Sequence, residues 1–201
     1  MNVGVLVSGS GTNLQAILDA EKAGALGRAR VAVVVSNVAG VRALERATAA
    51  GVPAEVLPHK QYASRQAFDE ALVALLGKHE VELVALAGFM RLLTPAFLGA
   101  FPSRVVNIHP ALLPAFPGVH AQKQALDYGA RITGCTVHFV DEGCDTGPII
   151  LQAAVPVLDG DDEASLTARI LAEEHRLYPA AIRAIADGRV HVSGRRVTIS
   201  A

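Results

Sequence analysis

The sequence predicts an α/β protein with a doubly wound, mostly parallel sheet that ends in antiparallel strands. Short apolar runs alternate with amphipathic stretches of helical period through residue 108, which is the pattern of right-handed β-α-β crossovers. Two longer apolar runs then follow each other with too few residues between them for a crossover helix. Of the 201 residues, 51% are hydrophobic and 18% are charged, which favours a large core.

The parallel part divides into elements at its apolar runs and at residues that start or stop helices. Ser64 is typical of a helix N-cap, and Thr94-Pro95 is typical of a cap followed by proline in the first turn. The predicted strands are residues 3–7, 31–35, 54–57, 83–86 and 105–108, and the predicted helices are residues 14–23, 41–50, 65–76 and a short one from Pro95.

The order of elements changes after residue 120. A helix at 121–127 precedes two antiparallel strands, 134–140 and 148–157, joined through the loop 141–147. A long helix at 163–186 ends at Asp187-Gly188, and a hairpin that turns at Ser193-Gly194 follows. We expect one domain over residues 1–188 and a C-terminal hairpin or tail over residues 189–201.

Composition and charge argue against several classes of protein. The formal net charge is −1 and the basic residues are scattered, which argues against a nucleic-acid partner. No apolar run approaches the roughly 18 residues of a membrane span, and the N-terminus lacks the basic region of a signal peptide. Cys135 and Cys144 form no C-x-x-C pair. We therefore expect a cytoplasmic protein with reduced thiols and no membrane partner.

A proline-rich stretch over residues 104–118 holds two polar side chains at the end of a strand. The strand stops at Pro110, and the prolines that follow make a stiff loop. Asn107 and His109 are two residues apart, so they point to the same side of the strand. They could simply cap the strand end, but loops at the carboxyl ends of α/β sheets are where ligands usually bind.

A glycine-rich loop, S-G-S-G-T-N, lies between the first strand and the first helix at residues 8–13. Its glycines allow close backbone approach, and the helix N-terminus offers free N–H groups and the positive end of the dipole. The loop lacks the third glycine of a dinucleotide fingerprint and the Gly-Lys-Ser/Thr of a Walker loop. A phosphate site and a simple tight turn both remain open.

The loop 141–147 carries three carboxylates, and such a run is usually a solvated turn. It lacks calcium-loop spacing, and the seven histidines show neither H-x-H nor H-E-x-x-H, so we predict no metal site. His120 and His138 lie near the candidate site in the predicted fold, but each can equally be a hydrogen-bonded structural residue.

An amide, an imidazole and a carboxylate without a nucleophile elbow favour direct acyl transfer over covalent catalysis. Asn107 and a protonated His109 would hold a developing oxyanion. Asp145 would orient His109, raise its pKa, and take a proton from an attacking amine through water. These residues alone do not identify the substrate.

Six motifs resemble the phosphoribosylglycinamide formyltransferase family, in the same order and spacing from Val3 to about Gly188. They are S-G-S-G-T-N-L-Q-A-I at 8–17, A-G-F-M-R-L-L-T-P-A-F at 87–97, N-I-H-P-A-L-L-P-A-F-P-G at 107–118, G-C-T-V-H-F-V at 134–140, D-T-G-P-I-I-L-Q at 145–152 and E-E-H-R-L-Y-P at 173–179. Each motif is weak alone, whereas the joint match is specific. Ala111 and Ala115 depart from the serine and lysine of other members, outside the predicted catalytic residues.

The resemblance implies a Rossmann-like formyltransferase fold and a reaction of de novo purine biosynthesis, the pathway to IMP. In it, 10-formyltetrahydrofolate gives its formyl group to the amine of N1-(5-phospho-D-ribosyl)glycinamide (glycinamide ribonucleotide), without a metal. Formylglycinamide ribonucleotide and tetrahydrofolate are the products. The resemblance also implies a phosphate-binding half over residues 1–108, a folate-binding and catalytic half over residues 109–188, and a monomer or homodimer.

Positions that match the family's motifs supply the expected site residues. They are Asn107, His109 and Asp145 for catalysis; Gly11, Thr12, Asn13 and Glu174 for the phosphate and ribose; and Arg65, Met90, Arg91, Leu92, Leu93, Asn107, Val140 and Asp141 for the folate, with the loop from Val140 to Asp145 closing the pteridine slot.

Three other functions share parts of this pattern. A formyl-folate hydrolase has a similar catalytic trio but lacks the glycine-rich loop and carries an extra N-terminal domain, whereas a strand is expected here from residue 2. Methionyl-tRNA formyltransferase would need a further C-terminal domain and a basic surface. A nucleotide-binding regulatory module would keep residues 9–13 but would not need Asn107, His109 and Asp145 together.

Overall fold

The computed structural model describes residues 1–200, and over that range it contains nine strands and six α-helices. The strands are β1 Asn2–Val7, β2 Arg30–Ser36, β3 Ala54–Val56, β4 Leu83–Leu86, β5 Val105–His109, β6 Ile132–Phe139, β7 Ile149–Pro156, β8 Val190–Ser193 and β9 Arg196–Ile199. The helices are α1 Thr12–Lys22, α2 Arg42–Ala49, α3 Arg65–Lys78, α4 Pro95–Ala100, α5 Ala121–Tyr128 and α6 Glu163–Ala186, and a 3-10 turn spans His59–Gln61.

Seven strands form one sheet in the order β3-β2-β1-β4-β5-β6-β7, and β8 pairs with β9 in a separate hairpin. The strands from β3 to β5 pair in parallel, whereas β6 is antiparallel to β5 and β7 is antiparallel to β6. The predicted class, a doubly wound and mostly parallel sheet with antiparallel C-terminal strands, is confirmed.

The central strands are buried on both faces. On β1, Val5 and Val7 pack into one core cluster, while Leu6 packs into a second cluster on the opposite face. A strand covered on both sides needs apolar residues at every position, which explains why residues 3–7 form a continuous apolar run.

The predicted element boundaries lie within two residues of those observed. Ser64 and Thr94 cap α3 and α4 as predicted, since their side chains accept from the backbone N–H groups of Ala67 and Phe97. The first helix begins at Thr12 and β6 begins at Ile132, each two residues earlier than predicted. The missed residues are Thr12 and Asn13 in α1 and Ile132 and Thr133 in β6. Three of these four are polar, so the apolar pattern alone did not include them.

The long helix α6 has the predicted bounds and is anchored to the middle of the sheet. The buried hydroxyl of Tyr178 lies 2.9 Å from the carbonyl oxygen of Leu86 and 3.1 Å from that of Val106. A single side chain therefore connects α6 to both β4 and β5. The C-terminal hairpin also contacts the main body, because Val190 and Ile199 pack against the larger core cluster.

None of the helices in the described range is long and apolar enough to cross a membrane.

Candidate active site

The glycine-rich loop runs from the end of β1 into α1. Gly11 is the N-cap of α1 and has a φ of 70°, in the left-handed region that favours glycine. A Cβ atom at Gly11 would lie 2.7 Å from Cβ and 2.9 Å from Cα of Ala43 on α2. The side chain of Arg46 holds the loop, because its Nε donates to the carbonyl oxygen of Ser10 at 2.9 Å. Gly11 is thus required both by conformation and by packing.

The end of α1 is open to a cavity of about 230 Å³, lined by residues 8–13 together with Ala87, Gly88 and Met90. The first bond of the helix runs from the N–H of Gln15 to the carbonyl oxygen of Gly11. The N–H groups of Thr12 and Asn13 precede that bond and remain available at the helix end. Such an end suits an anion, so the geometry fits a phosphate better than a simple turn.

Asn13 and Glu174 bring α1 and α6 together at the edge of this cavity. Asn13 Nδ2 donates to Glu174 Oε2 at 2.7 Å, and the Glu174 side chain is only 4% exposed. Burial raises the pKa of Glu174 to about 7, although the bond from Asn13 lowers it in part. Among residues 1–200, Asn13 Oδ1 is buried without a hydrogen-bond partner. A buried acceptor beside a carboxylate fits a ligand that carries hydroxyl groups.

The second part of the site lies on β5. Asn107 and His109 point to the same side of the strand, as predicted, and Asp145 approaches from the loop 141–147. Nδ1 of His109 lies 3.4 Å from Oδ2 of Asp145, and Nε2 of His109 lies 2.8 Å from the carbonyl oxygen of Phe116. The structure therefore places the three predicted catalytic residues in one cluster.

Both ring nitrogens of His109 face acceptors, so only the doubly protonated ring satisfies both contacts. Burial lowers the pKa of His109, while the Phe116 carbonyl and the Asp145 carboxylate raise it in part. We expected Asp145 to raise the pKa of His109. Its own effect has that direction, but the cost of burying the charged ring outweighs it.

The surroundings of Asp145 favour its ionised form. The backbone N–H of Gly118 donates to its Oδ2 at 2.8 Å, and Nε2 of His138 lies 3.6 Å from its Oδ1. Burial alone would raise the pKa of Asp145, but His138, the Gly118 N–H and His109 together lower it to about 2. At neutral pH this carboxylate is a charged proton acceptor.

The proline-rich loop is fixed to β6 through Thr136. Its hydroxyl donates to the carbonyl oxygen of Ala111 at 2.7 Å and accepts from the N–H of Leu113 at 3.1 Å. These bonds hold the segment that presents the Phe116 carbonyl to His109 and the Gly118 N–H to Asp145. In the loop 141–147, Asp141 Oδ1 accepts from the Thr146 hydroxyl at 2.6 Å, so Asp141 shapes the turn that carries Asp145.

The residues expected to bind folate differ in exposure. Met90 and Leu92 are exposed, whereas Leu93 is buried in the smaller core cluster and Val140 packs against that cluster. A ligand could therefore reach the side chains of Met90 and Leu92, but the side chain of Leu93 only after repacking.

Two arginines belong to the same expected group. Arg65 is exposed at the first position of α3, and the guanidinium of Arg91 lies 4.8 Å from the ring centroid of Phe68 on that helix. Within the described part of the chain, Arg91 Nε is buried without a hydrogen-bond partner. An unpaired buried donor of this kind fits an anionic or carbonyl-bearing ligand.

His138 is the residue whose place in the site the sequence did not decide. It is 2% exposed and lies directly opposite Asn107 in the β5–β6 register, with its Nε2 3.2 Å from Asn107 Nδ2. Alternation along the predicted strand 134–140 already placed Thr136 and His138 on one face. What was missing was the register that sets this face against Asn107 and His109. In the range 1–200, no three His, Cys, Asp or Glu side chains are grouped to hold a metal ion.

The chain matches a family model described as formyl transferase over residues 1–182. It is 46% identical over 190 residues to phosphoribosylglycinamide formyltransferase of Escherichia coli. The aligned residues cover 94% of this chain and 89% of that protein. A crystal structure of glycinamide ribonucleotide transformylase 1 from Symbiobacterium toebii superposes with a TM-score of 0.97 at 58% identity, over 99% of this chain and 93% of that one.

Other relatives are much longer than this chain. The trifunctional purine biosynthetic protein adenosine-3 of Drosophila melanogaster is 52% identical over 192 residues, which is 95% of this chain but 14% of that protein. These likenesses agree with the resemblance that the six motifs predicted.

Proposed function

The chain belongs to the formyl transferase family, and from this premise we propose that it transfers a formyl group from 10-formyltetrahydrofolate to glycinamide ribonucleotide in purine biosynthesis. The names of its relatives, phosphoribosylglycinamide formyltransferase and trifunctional purine biosynthetic protein, support this role. The observation that carries the proposal is the ionised Asp145 carboxylate 3.4 Å from the His109 ring, on the same cluster as Asn107.

The ribonucleotide end of the site is proposed to be the cavity at α1. Its phosphate would accept from the backbone N–H groups that follow Gly11, at Thr12 and Asn13. Its ribose hydroxyls would donate to the Glu174 carboxylate and to the unpartnered Asn13 Oδ1. In this arrangement the protein N–H donors meet phosphate oxygens, and the Glu174 and Asn13 oxygens meet ribose hydroxyls.

The folate end is proposed to lie along residues 90–93 and the loop 141–147. The exposed side chains of Met90 and Leu92 offer an apolar surface suited to a flat ring. Arg65 and Arg91 supply positive charge for the carboxylates of the folate tail. Val140 and Asp141 would border the ring from the other side. When bound, 10-formyltetrahydrofolate supplies the formyl group.

The residues of the cluster can serve each change that transfer requires. A bond forms between the glycinamide nitrogen and the formyl carbon, and the bond from that carbon to the folate nitrogen breaks. The amine gives up one proton and the folate nitrogen gains one, so protons balance. Negative charge that develops on the formyl oxygen is stabilised by N–H groups of Asn107 and His109. Asp145 accepts the proton of the amine, directly or through water.

The conformation around His109 sets one condition on this role. Its Nε2 is directed at the Phe116 carbonyl oxygen at 2.8 Å, and its Nδ1 is directed at Asp145. A formyl oxygen can therefore accept from Nε2 only by replacing the Phe116 carbonyl as its partner. The backbone at Phe116 has a φ of 53°, an unfavourable value for an aromatic residue, which lowers the cost of such a change.

We place this activity in the cytoplasm. Among the described residues both cysteines, Cys135 and Cys144, are free thiols, in keeping with a reducing compartment. Two small molecules, glycinamide ribonucleotide and the formyl folate, are its proposed partners.

The test is to mix the protein with 10-formyltetrahydrofolate and glycinamide ribonucleotide and to follow the release of tetrahydrofolate, omitting each substrate in turn. We expect release only when both are present, with one formylated ribonucleotide formed per folate. Equal release without the ribonucleotide would identify a hydrolase, and no release with both substrates would refute the transferase.

A further inference from the structure

The ring of His138 lies between two members of the catalytic cluster. Its Nε2 is 3.2 Å from Nδ2 of Asn107 and 3.6 Å from Oδ1 of Asp145. His138 is on β6, whereas Asn107 is on β5 and Asp145 is on the loop that follows β6. One buried nitrogen atom therefore contacts two separate segments of the site.

The other ring nitrogen determines what this atom can do. Nδ1 of His138 lies 2.8 Å from the carbonyl oxygen of Phe139. A carbonyl only accepts, so Nδ1 carries a hydrogen, and in the neutral ring Nε2 then has a free lone pair. Asn107 presents an amide nitrogen to that lone pair, and an amide nitrogen only donates. The neutral ring thus accepts one N–H of Asn107.

We propose that His138 is a positioning residue, which accepts one amide N–H of Asn107 through Nε2 and so directs the second N–H toward the formyl oxygen. The inference rests on the proposed function. Without an acceptor at this position, the amide of the half-buried Asn107 could rotate about its terminal torsion, which has broad minima. With the acceptor, one orientation is selected and the second N–H is set before the substrate arrives.

Nε2 cannot serve both of its neighbours at once. When Nε2 carries no hydrogen, its lone pair accepts from the Asn107 amide. With a hydrogen, Nε2 would donate to Asp145 and repel the Asn107 amide. The ionisable groups that face this atom are Asp145 on the loop 141–147 and His109 on β5. The proposal therefore requires Nε2 without a hydrogen in the active enzyme, where the Gly118 N–H and the His109 ring are the groups that hold Asp145.

Two substitutions at His138 test the roles of its two ring nitrogens separately. The amide of an asparagine side chain reaches about as far as Nδ1, so His138→Asn keeps a donor for the Phe139 carbonyl but removes the acceptor for Asn107. The amide of a glutamine reaches about as far as Nε2, so His138→Gln restores that acceptor and gives up the Phe139 contact. The pair distinguishes positioning of Asn107 from support of β6.

We expect His138→Asn to lower kcat by about 10- to 100-fold, as small misplacements in active sites do, with KM for both substrates within about twofold. His138→Gln should recover most of this loss. Thermal unfolding of both variants controls for damage to the fold. Turnover above half of normal in His138→Asn, or an equal loss in His138→Gln, would overturn the proposal.

A second measurement does not depend on turnover. In ¹⁵N spectra of the unmodified protein near neutral pH, Nδ1 of His138 should show the shift of a protonated nitrogen and Nε2 that of an unprotonated one. A hydrogen on Nε2 would overturn the inference even in an active enzyme. If the unmodified protein fails to formylate the ribonucleotide, the proposed function fails instead, and the spectra still decide the hydrogen-bonding state of His138.

Discussion

Asp145 and His109 are in contact within the candidate active site, with Oδ2 of Asp145 3.4 Å from Nδ1 of His109. The two side chains reach this position from different directions, one on a strand of the sheet and one on a loop beyond the antiparallel strand β6. Because the pKa of Asp145 is lowered to about 2, its carboxylate stays negatively charged at neutral pH. A proton acceptor and a ring able to donate therefore lie side by side.

Replacing Asp145 by Asn should abolish most of the turnover. The amide keeps the size of the side chain but can neither take a proton nor stabilise a charged His109. Loss of one acid–base group costs about 10²–10⁴ in rate, so we expect kcat to fall by at least that factor with little change in substrate affinity. Steady-state kinetics would measure both.

Asp127 offers a matched control for this change. It is an exposed carboxylate on α5 paired with Lys123, and Asp127→Asn should leave kcat unchanged. An Asp145→Asn protein that retained more than a tenth of the normal turnover would remove Asp145 from the mechanism. Since the pKa of Asp145 is lowered to about 2, protonation of Asp145 should not reduce turnover between pH 7 and 5.

Gly11→Ala should damage both the fold and the binding of the ribonucleotide. Its positive φ costs an alanine about 1–2 kcal/mol, and the new Cβ would press on the backbone of Ala43 at 2.9 Å. We expect a loss of at least about 1 kcal/mol in the free energy of unfolding, measured by denaturant titration. KM for the ribonucleotide should also rise.

Gly9→Ala is the control in the same loop. Over the described chain, a Cβ at Gly9 meets no atom within 4 Å, so this change should cost less than about 0.5 kcal/mol. Equal destabilisation by both substitutions would show that neither the φ of Gly11 nor its contact with α2 matters.

Arg65→Ala should weaken binding of folates according to their glutamate tail. Hydrogen bonds to charged groups contribute about 1.5–3 kcal/mol, so affinity for a folate with glutamate should fall about tenfold or more. Affinity for a folate fragment without glutamate should be unchanged, as judged by calorimetry. Lys78→Ala, at the opposite end of α3, controls for a general loss of positive charge. Equal weakening of the fragment would make Arg65 a structural residue.

Glu174→Gln should stabilise the protein at alkaline pH. Folding raises the pKa of Glu174 from 4.5 to about 7, so the folded state holds a proton that the unfolded chain has released. The contribution of Glu174 to stability is complete below about pH 4.5 and is lost as the pH rises to about 7. Above that pH the buried charge costs on the order of 3 kcal/mol, which a glutamine avoids.

Unfolding experiments at pH 4 and pH 8 would detect this difference. The gain in stability from Glu174→Gln should appear at pH 8 and be absent at pH 4. At pH 8 the variant should bind the ribonucleotide more weakly than the unmodified protein, because an amide oxygen is a weaker acceptor than an ionised carboxylate. The neighbouring Glu173, paired with Arg176 on the surface of α6, supplies the control, and Glu173→Gln should change stability little at either pH. A gain of equal size at both pH values would show that the charge of Glu174 is not its cause.

Much of the fold follows from local signals in the sequence. Apolar runs and caps such as Ser64 locate the elements, and the missing crossover after residue 140 predicts the antiparallel pair. The same signals do not reveal register, which depends on contacts between distant residues. That is why Asn107 and His109 could be paired from sequence, while the position of His138 opposite Asn107 could not.

Charge states were harder to predict than positions. The expectation that Asp145 raises the pKa of His109 considered one neighbour and omitted burial, which has the larger effect. The raised pKa of Glu174 has the same origin, since nothing in the motif E-E-H-R-L-Y-P shows which of its two glutamates is enclosed. Burial is a property of the assembled helix and sheet.

The bond between Asn13 and Glu174 joins residues 161 positions apart in the chain. On the ribosome the glycine-rich loop emerges early, whereas Glu174 and the Tyr178 anchor emerge only with α6. A nascent chain that has formed its parallel strands thus still lacks Glu174, one of the two residues proposed to contact the ribose. Cellular ribonucleotide can stabilise only the state that binds it. We therefore expect glycinamide ribonucleotide to protect a chain that includes α6 against proteases, but not a shorter nascent chain that lacks α6.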